Sequence, residues 1–165
     1  GNLIFPASCY IFGIIDRVAV QNDKEIGKHT YGISYKSNGN VFSADGNLLT
    51  SQATFGAGDI IGIYIDIDNL KFYFAKNGTI ANSGTGLAIP SLTSTANGVY
   101  FFGFDNFQAG GSVHQANWGN PAYTGTDQAD VNGYGSFEYS PSAGTFDSVS
   151  KDFLALCTKN LAESG

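Results

Sequence analysis

Between Ile60 and Gly78 the chain carries its most constraining pattern. Ile61, Ile63, Ile65 and Ile67 occupy alternate positions, with Tyr64, Asp66 and Asp68 in the gaps. Successive side chains of an extended chain point to opposite faces, so this run reads as a strand with one isoleucine face turned to a core. Asp68-Asn69-Leu70 supplies residues that tolerate a tight turn. Phe72 and Phe74 then alternate with Lys71 and Tyr73, and Asn77-Gly78 closes the unit. The segment is expected to be a β-hairpin.

The same grammar extends along the chain. Short runs rich in Ile, Phe, Tyr and Val are separated by clusters of Gly, Asn and Asp every eight to twelve residues or so, the spacing of an antiparallel sandwich. Strands are expected at Cys9–Ile15, Thr30–Ser34, Asn40–Ser43, Ile60–Asp66, Lys71–Lys76, Val99–Phe104, His114–Trp118, Ser136–Tyr139 and Phe153–Thr158. The last fits helical spacing equally well, and a strand is preferred because the rest of the chain is β and offers it a sheet edge. From Asn120 to Gly135 the density of Gly, Asp, Asn and Thr marks a long surface loop inside one domain. A length of 165 residues suits a single core.

Composition excludes several partners. The net charge is −6 and the eight Lys and Arg are scattered, so there is no basic stripe to neutralise a phosphate backbone and nucleic acid is not expected. The apolar runs are strand-sized, which argues against membrane insertion. Cys9 and Cys157 lie in apolar runs near opposite ends and are expected as buried thiols, with one end-to-end bridge as the alternative. Gly1 opens the sequence without a methionine or a signal-peptide pattern, which points to a processed product or a piece of something longer.

Catalytic and metal patterns are weak. Asp66, Asp68 and Asn69 offer hard oxygen atoms, yet calcium takes about six or more ligands and no metal is expected. His29 and His114 lack Cys or carboxylate at zinc-ligand spacing, and no Ser-His-Asp arrangement stands out. Glu138 has no evident partner carboxylate for glycoside hydrolysis and reads as a solvated strand residue. Asn77-Gly78-Thr79 fits a glycosylation acceptor but is read as a turn. No catalytic residue, metal or cofactor is assigned.

The stretch from Gly58 to Asn69 (GDIIGIYIDIDN), followed by Lys71 to Gly78 (KFYFAKNG), resembles the most recognisable segment of SPRY domains. Ile11 to Asp16 (IFGIID), Tyr31 to Tyr35 (YGISY) and Ala116 to Tyr123 (ANWGNPAY) resemble three further segments of that family, in its order. The resemblance implies an all-β fold: a two-sheet antiparallel sandwich, a concanavalin-like jelly roll. Residues 1–123 would form the SPRY-like core, and 124–165 a loop and strand extension packed on the same domain. Only Gly1 to Ser8 precede the IFGIID strand, so the sandwich is expected to lack its first strands. A sheet short of strands offers unpaired backbone, which a second copy, another polypeptide or a removed upstream part of the same one is expected to complete. Trp118, by its place in the family pattern, is expected in the core.

Residues 132–139 and 153–161 resemble, more loosely, the tail that follows SPRY-like domains in bacteriophage and metagenomic viral proteins. The resemblance as a whole implies recognition or assembly without chemistry, in a virion, a tail fibre or an extracellular setting. The partner surface is expected on loops: Arg17 and His29 around the first strands, and Asp105, Asn106, Phe107 and Gln108 after the Val99–Phe104 strand. The alternative partner is a cell-surface glycan, stacked on aromatic residues such as Tyr123 or Tyr134.

Overall fold

The computed structural model describes residues 10–16, 25–44, 46–95, 97–106, 114–121, 125–142 and 144–163. Among these residues the strands and the α-helix run in the order β1 (Tyr10–Ile15), β2 (Ile33–Lys36), β3 (Val41–Ser43), β4 (Gly46–Leu49), β5 (Ile61–Asp66), β6 (Lys71–Lys76), β7 (Thr79–Ile80), β8 (Leu87–Ala88), β9 (Phe101–Asn106), β10 (Thr145–Phe146), β11 (Val149–Ser150) and α1 (Thr158–Glu163). One sheet has the order β4-β3-β2-β1-β9. In the second, β6 is flanked by β5 on one side and by both β7 and β8 on the other. All these pairings are antiparallel, as the alternating pattern requires.

Register decides which side chains meet. Phe12 stands opposite Tyr35 and Phe104, and Ile14 opposite Ile33 and Phe102, so these residues share the inward face of the first sheet. Ile63 stands opposite Phe74 and Ile65 opposite Phe72, giving the inward face of the second. Between them lies the core of Ile14, Ile33, Tyr35, Val41, Phe55, Phe72, Phe74, Leu87 and Ile89, with Ile61, Ile63 and Ile65 packed against it. Burying one such side chain contributes roughly 1.5–3 kcal/mol, so this interlayer outweighs any surface contact.

The reverse face of the hairpin is also covered, which the reading of a single core face did not anticipate. Tyr64, Tyr73 and Ala75 form a second buried cluster with Phe146 from the C-terminal region, and Phe153 packs against it. Ile67 lies past the end of β5 and is exposed.

Three expected strands are absent. His114–Trp118 is irregular, and Ser136–Tyr139 keeps one bridge, from Phe137 to Gln128. Phe153–Thr158 is irregular up to the start of α1. The cause there is a side chain. The buried carboxylate of Asp130 accepts from the backbone N–H of Ala155, Asn132 and Tyr134 and from the Asn160 amide, and the Ala155 bond stands where a strand ladder would. The 125–135 stretch is therefore pinned at its centre. Cys157 is a partly buried free thiol, and Cys9 lies outside the described residues.

Candidate interaction surface

On the outward face of the first sheet, a 3-10 turn at Ile26–Lys28 packs over β1, β2, β3 and β9. Gly27 allows this approach, since a Cβ there would stand 2.3 Å from the Ser34 hydroxyl oxygen. Glu25, immediately before the turn, is buried and accepts two hydrogen bonds from Lys36 Nζ at 2.8 and 3.0 Å. Lys36 also lies 4.7 Å from the Phe42 ring centre. Strand register places Lys36, Ile11 and Asp105 in one row across three strands.

His29 closes the turn, its N–H donating to the Ile26 carbonyl. Only 7% of this residue is exposed, so the imidazole is an interior group and not the surface contact its loop position implied. Asp16 is buried too, its backbone oxygen accepting from the Asn97 amide. Burial, with the nearby Asp16 and Tyr31 charges adding to it, pushes the Tyr100 hydroxyl up to about 12. It donates to the Pro90 carbonyl and stays protonated at any physiological pH.

β9 runs further than expected. Tyr10 and Ile11 pair with Asn106 and Asp105, so those two residues end a strand and do not belong to the following loop. Arg17, Phe107, Gln108 and Tyr123 lie outside the described residues.

The inward row of β9 carries a feature that composition did not reveal. Phe104 is 64% exposed and Trp118 is 46% exposed, so the tryptophan is not the core residue its place in the family pattern implied. The Trp118 ring lies 5.1 Å from Phe102, and His114 sits 5.0 Å from Phe104 and 5.1 Å from Phe12. Burial among these rings holds the His114 imidazole below its ordinary pKa. Phe104, His114 and Trp118 thus mark an aromatic ledge near the end of β9. Exposed aromatics of this kind bury large area on contact and dominate protein interfaces.

Several other polar groups are committed to one another. A cavity of about 320 Å³ is lined by Tyr35, Gln52, Ala53, Lys76, Asn77, Thr79 and Ala81. Its Lys76 binds the Thr54 carbonyl and pairs with Asp59, while the Tyr35 hydroxyl donates to Ala53. Asp66 accepts from Asn69 and Lys151, which occupies the oxygens a cation would need. Among the described residues no three of His, Cys, Asp and Glu gather as a metal site. Glu138 accepts from the Thr126 backbone, and the Tyr134 ring lies 5.1 Å from Lys159 Nζ. Among those residues, too, no helix is long and apolar enough to cross a membrane.

The sandwich, its register and its ordered motifs agree with one comparison: the family model for the SPRY domain matches residues 8–117. The chain belongs to the SPRY family. SPRY domains are generally non-catalytic modules for protein interaction, and this one displays an aromatic ledge on a rigid sheet. No curated protein matches the chain at a significant level. The region after residue 117 lies beyond the matched SPRY domain, although its Phe146 is as deeply buried as anything within it.

Proposed function

We propose that this SPRY domain is a recognition and assembly module of a bacteriophage virion or tail fibre, acting outside the cell. The exposed Phe104 and Trp118 carry the reading. Such a ledge loses contact with water when a protein partner covers it, and the pairing of β9 with β1 holds its backbone in place. The viral setting rests on the looser likeness of residues 132–139 and 153–161 to tails that follow SPRY-like domains in phage proteins. Repeated copies on a particle would turn weak single contacts into firm attachment.

Sheet completion belongs to the same reading. Among the described residues β5 pairs with β6 alone, so its other edge can accept a strand from a second copy or another polypeptide. Native mass spectrometry tests this: against 17.4 kDa for the chain, masses of higher order that dissociate in Phe104→Ala support assembly through the ledge. A wild-type monomer at every concentration, together with no labelling of phage particles by an antibody to the chain, overturns it. The exposure of Trp118 favours a second reading, a cell-surface glycan stacked on that ring. A glycan array that lights up with the wild type and goes dark with Trp118→Ala would select it.

A further inference from the structure

The C-terminal region holds a small hairpin that behaves as a ligand of the sandwich. Strands β10 and β11 are joined by Asp147 and Ser148, both with positive φ (49° and 66°), the geometry of a two-residue primed turn. Four side chains around that hairpin do the binding. The Phe146 ring lies 5.2 Å from Tyr64 and 5.1 Å from Tyr73. The Phe153 ring lies 5.2 Å from Tyr64 and 4.7 Å from Phe146. Asp147 accepts from the Tyr73 hydroxyl at 2.6 Å and from the Gly86 N–H at 2.9 Å. Lys151 donates to Asp66 at 2.7 Å and to the Tyr73 oxygen at 2.8 Å. Gly86 makes room for the Tyr73 ring, which a Cβ there would meet at 2.7 Å.

Two features make this a docking event and not ordinary core. Every receptor group lies within the matched SPRY segment, and every ligand group lies beyond it. The remaining residues of the hairpin, Thr145, Ser148, Val149, Ser150 and Asp152, are exposed. Phe146 is buried and Lys151 and Phe153 are partly buried, and a few such anchors at fixed spacing on an otherwise solvated segment are how folded domains hold short peptides.

We propose that the outward face of β5 and β6 is a peptide-docking surface reading a Phe-Asp-turn-Lys-x-Phe segment, and that residues 145–153 occupy it as a built-in ligand. The hairpin competes with the same segment offered by another molecule, such as a second copy in an assembly. Tethering gives the built-in copy an effective concentration on the order of millimolar, so an outside segment gains access only when the tethered one is weakened. This surface is separate from the β9 ledge, and the inference stands without the viral reading.

The test uses the full chain and a fluorescent peptide of residues 144–154. The wild type should bind it weakly. Phe146→Ala combined with Phe153→Ala, made in the chain and not in the peptide, should bind it at least about tenfold tighter, because the internal competitor is gone. A peptide with both phenylalanines changed to Ala should not bind. Hydrogen exchange tracks the fold through the amides of β1, β2 and β9. If those amides stay protected in the double variant and the peptide still fails to bind, the proposal is overturned. If the double variant unfolds, Lys151→Gln decides: about threefold tighter peptide binding than wild type supports the proposal, and unchanged binding overturns it.

Discussion

Lys151 reaches back 85 positions to Asp66, its ammonium 2.7 Å from the carboxylate and in contact with the Tyr73 hydroxyl as well. The contact ties the C-terminal region to the end of β5. Lys151→Gln removes the charge and should cost about 1 kcal/mol, the scale of one charge-assisted bond in partly solvated surroundings. Urea denaturation should show a lower midpoint with an unchanged slope.

The same contact predicts acid sensitivity. Burial pulls the Asp66 carboxyl upward, but hydrogen bonds from Lys151 and Asn69 outweigh it and hold the pKa below its ordinary value. A carboxyl depressed in the folded state adds stability above its unfolded pKa, about 4, and that stability is lost as the pH falls through the folded value. Lys151→Gln should therefore narrow the stability gap between pH 6 and pH 3 relative to wild type, measured by denaturation at both.

Asp130 gathers four donors from three separate stretches of chain. Asp130→Ala takes the acceptor from the buried N–H of Ala155 and from the partly buried N–H groups of Asn132 and Tyr134, and should cost about 3 kcal/mol. Amide exchange should rise first at Ala155 and in α1, while β5 and β6 hold. Uniform exchange across the chain would show that the hub is not local.

Phe104→Ala and Trp118→Ala change side chains that water already reaches. Each should shift stability by less than about 1 kcal/mol while reducing self-association or partner capture about tenfold or more. Thermal melts and native mass spectrometry on the same samples separate the two effects.

His114 gives a pH signature of opposite chemistry. Its imidazole is depressed by burial between Phe12 and Phe104, so the unfolded chain takes up the proton more readily than the folded one. Stability from this residue is present above the unfolded pKa of about 6.5 and declines as the pH falls below it. NMR titration should place His114 below 6.5, and His114→Phe should flatten the dependence between pH 7.5 and 5.5.

Much of the sandwich was legible because alternation is local: the isoleucines of β5 and the phenylalanines of β6 announce both strands and the turn between them. The second aromatic cluster was not legible. Phe146 and Phe153 show no period and meet Tyr64 and Tyr73 across more than seventy positions, so nothing near them in sequence points to their partners. Phe153–Thr158 misled for a related reason, since the Ala155 N–H at its centre bonds to Asp130, a side chain in a loop rich in turn residues. His29 and Trp118 exchanged expected roles. Loop position implied exposure for the first and family position implied burial for the second, and packing of more distant segments decided both.

The pairing of Tyr10 with Asn106 has a consequence for how such a unit travels between proteins. In an antiparallel pair the start of β1 and the end of β9 lie side by side, roughly 5 Å apart. The chain therefore enters and leaves the first sheet at almost the same point. A host protein that carried residues 10–106 within one of its own surface loops would give up a single short connection there, but would lose the packing of Phe146 and Phe153 on the hairpin.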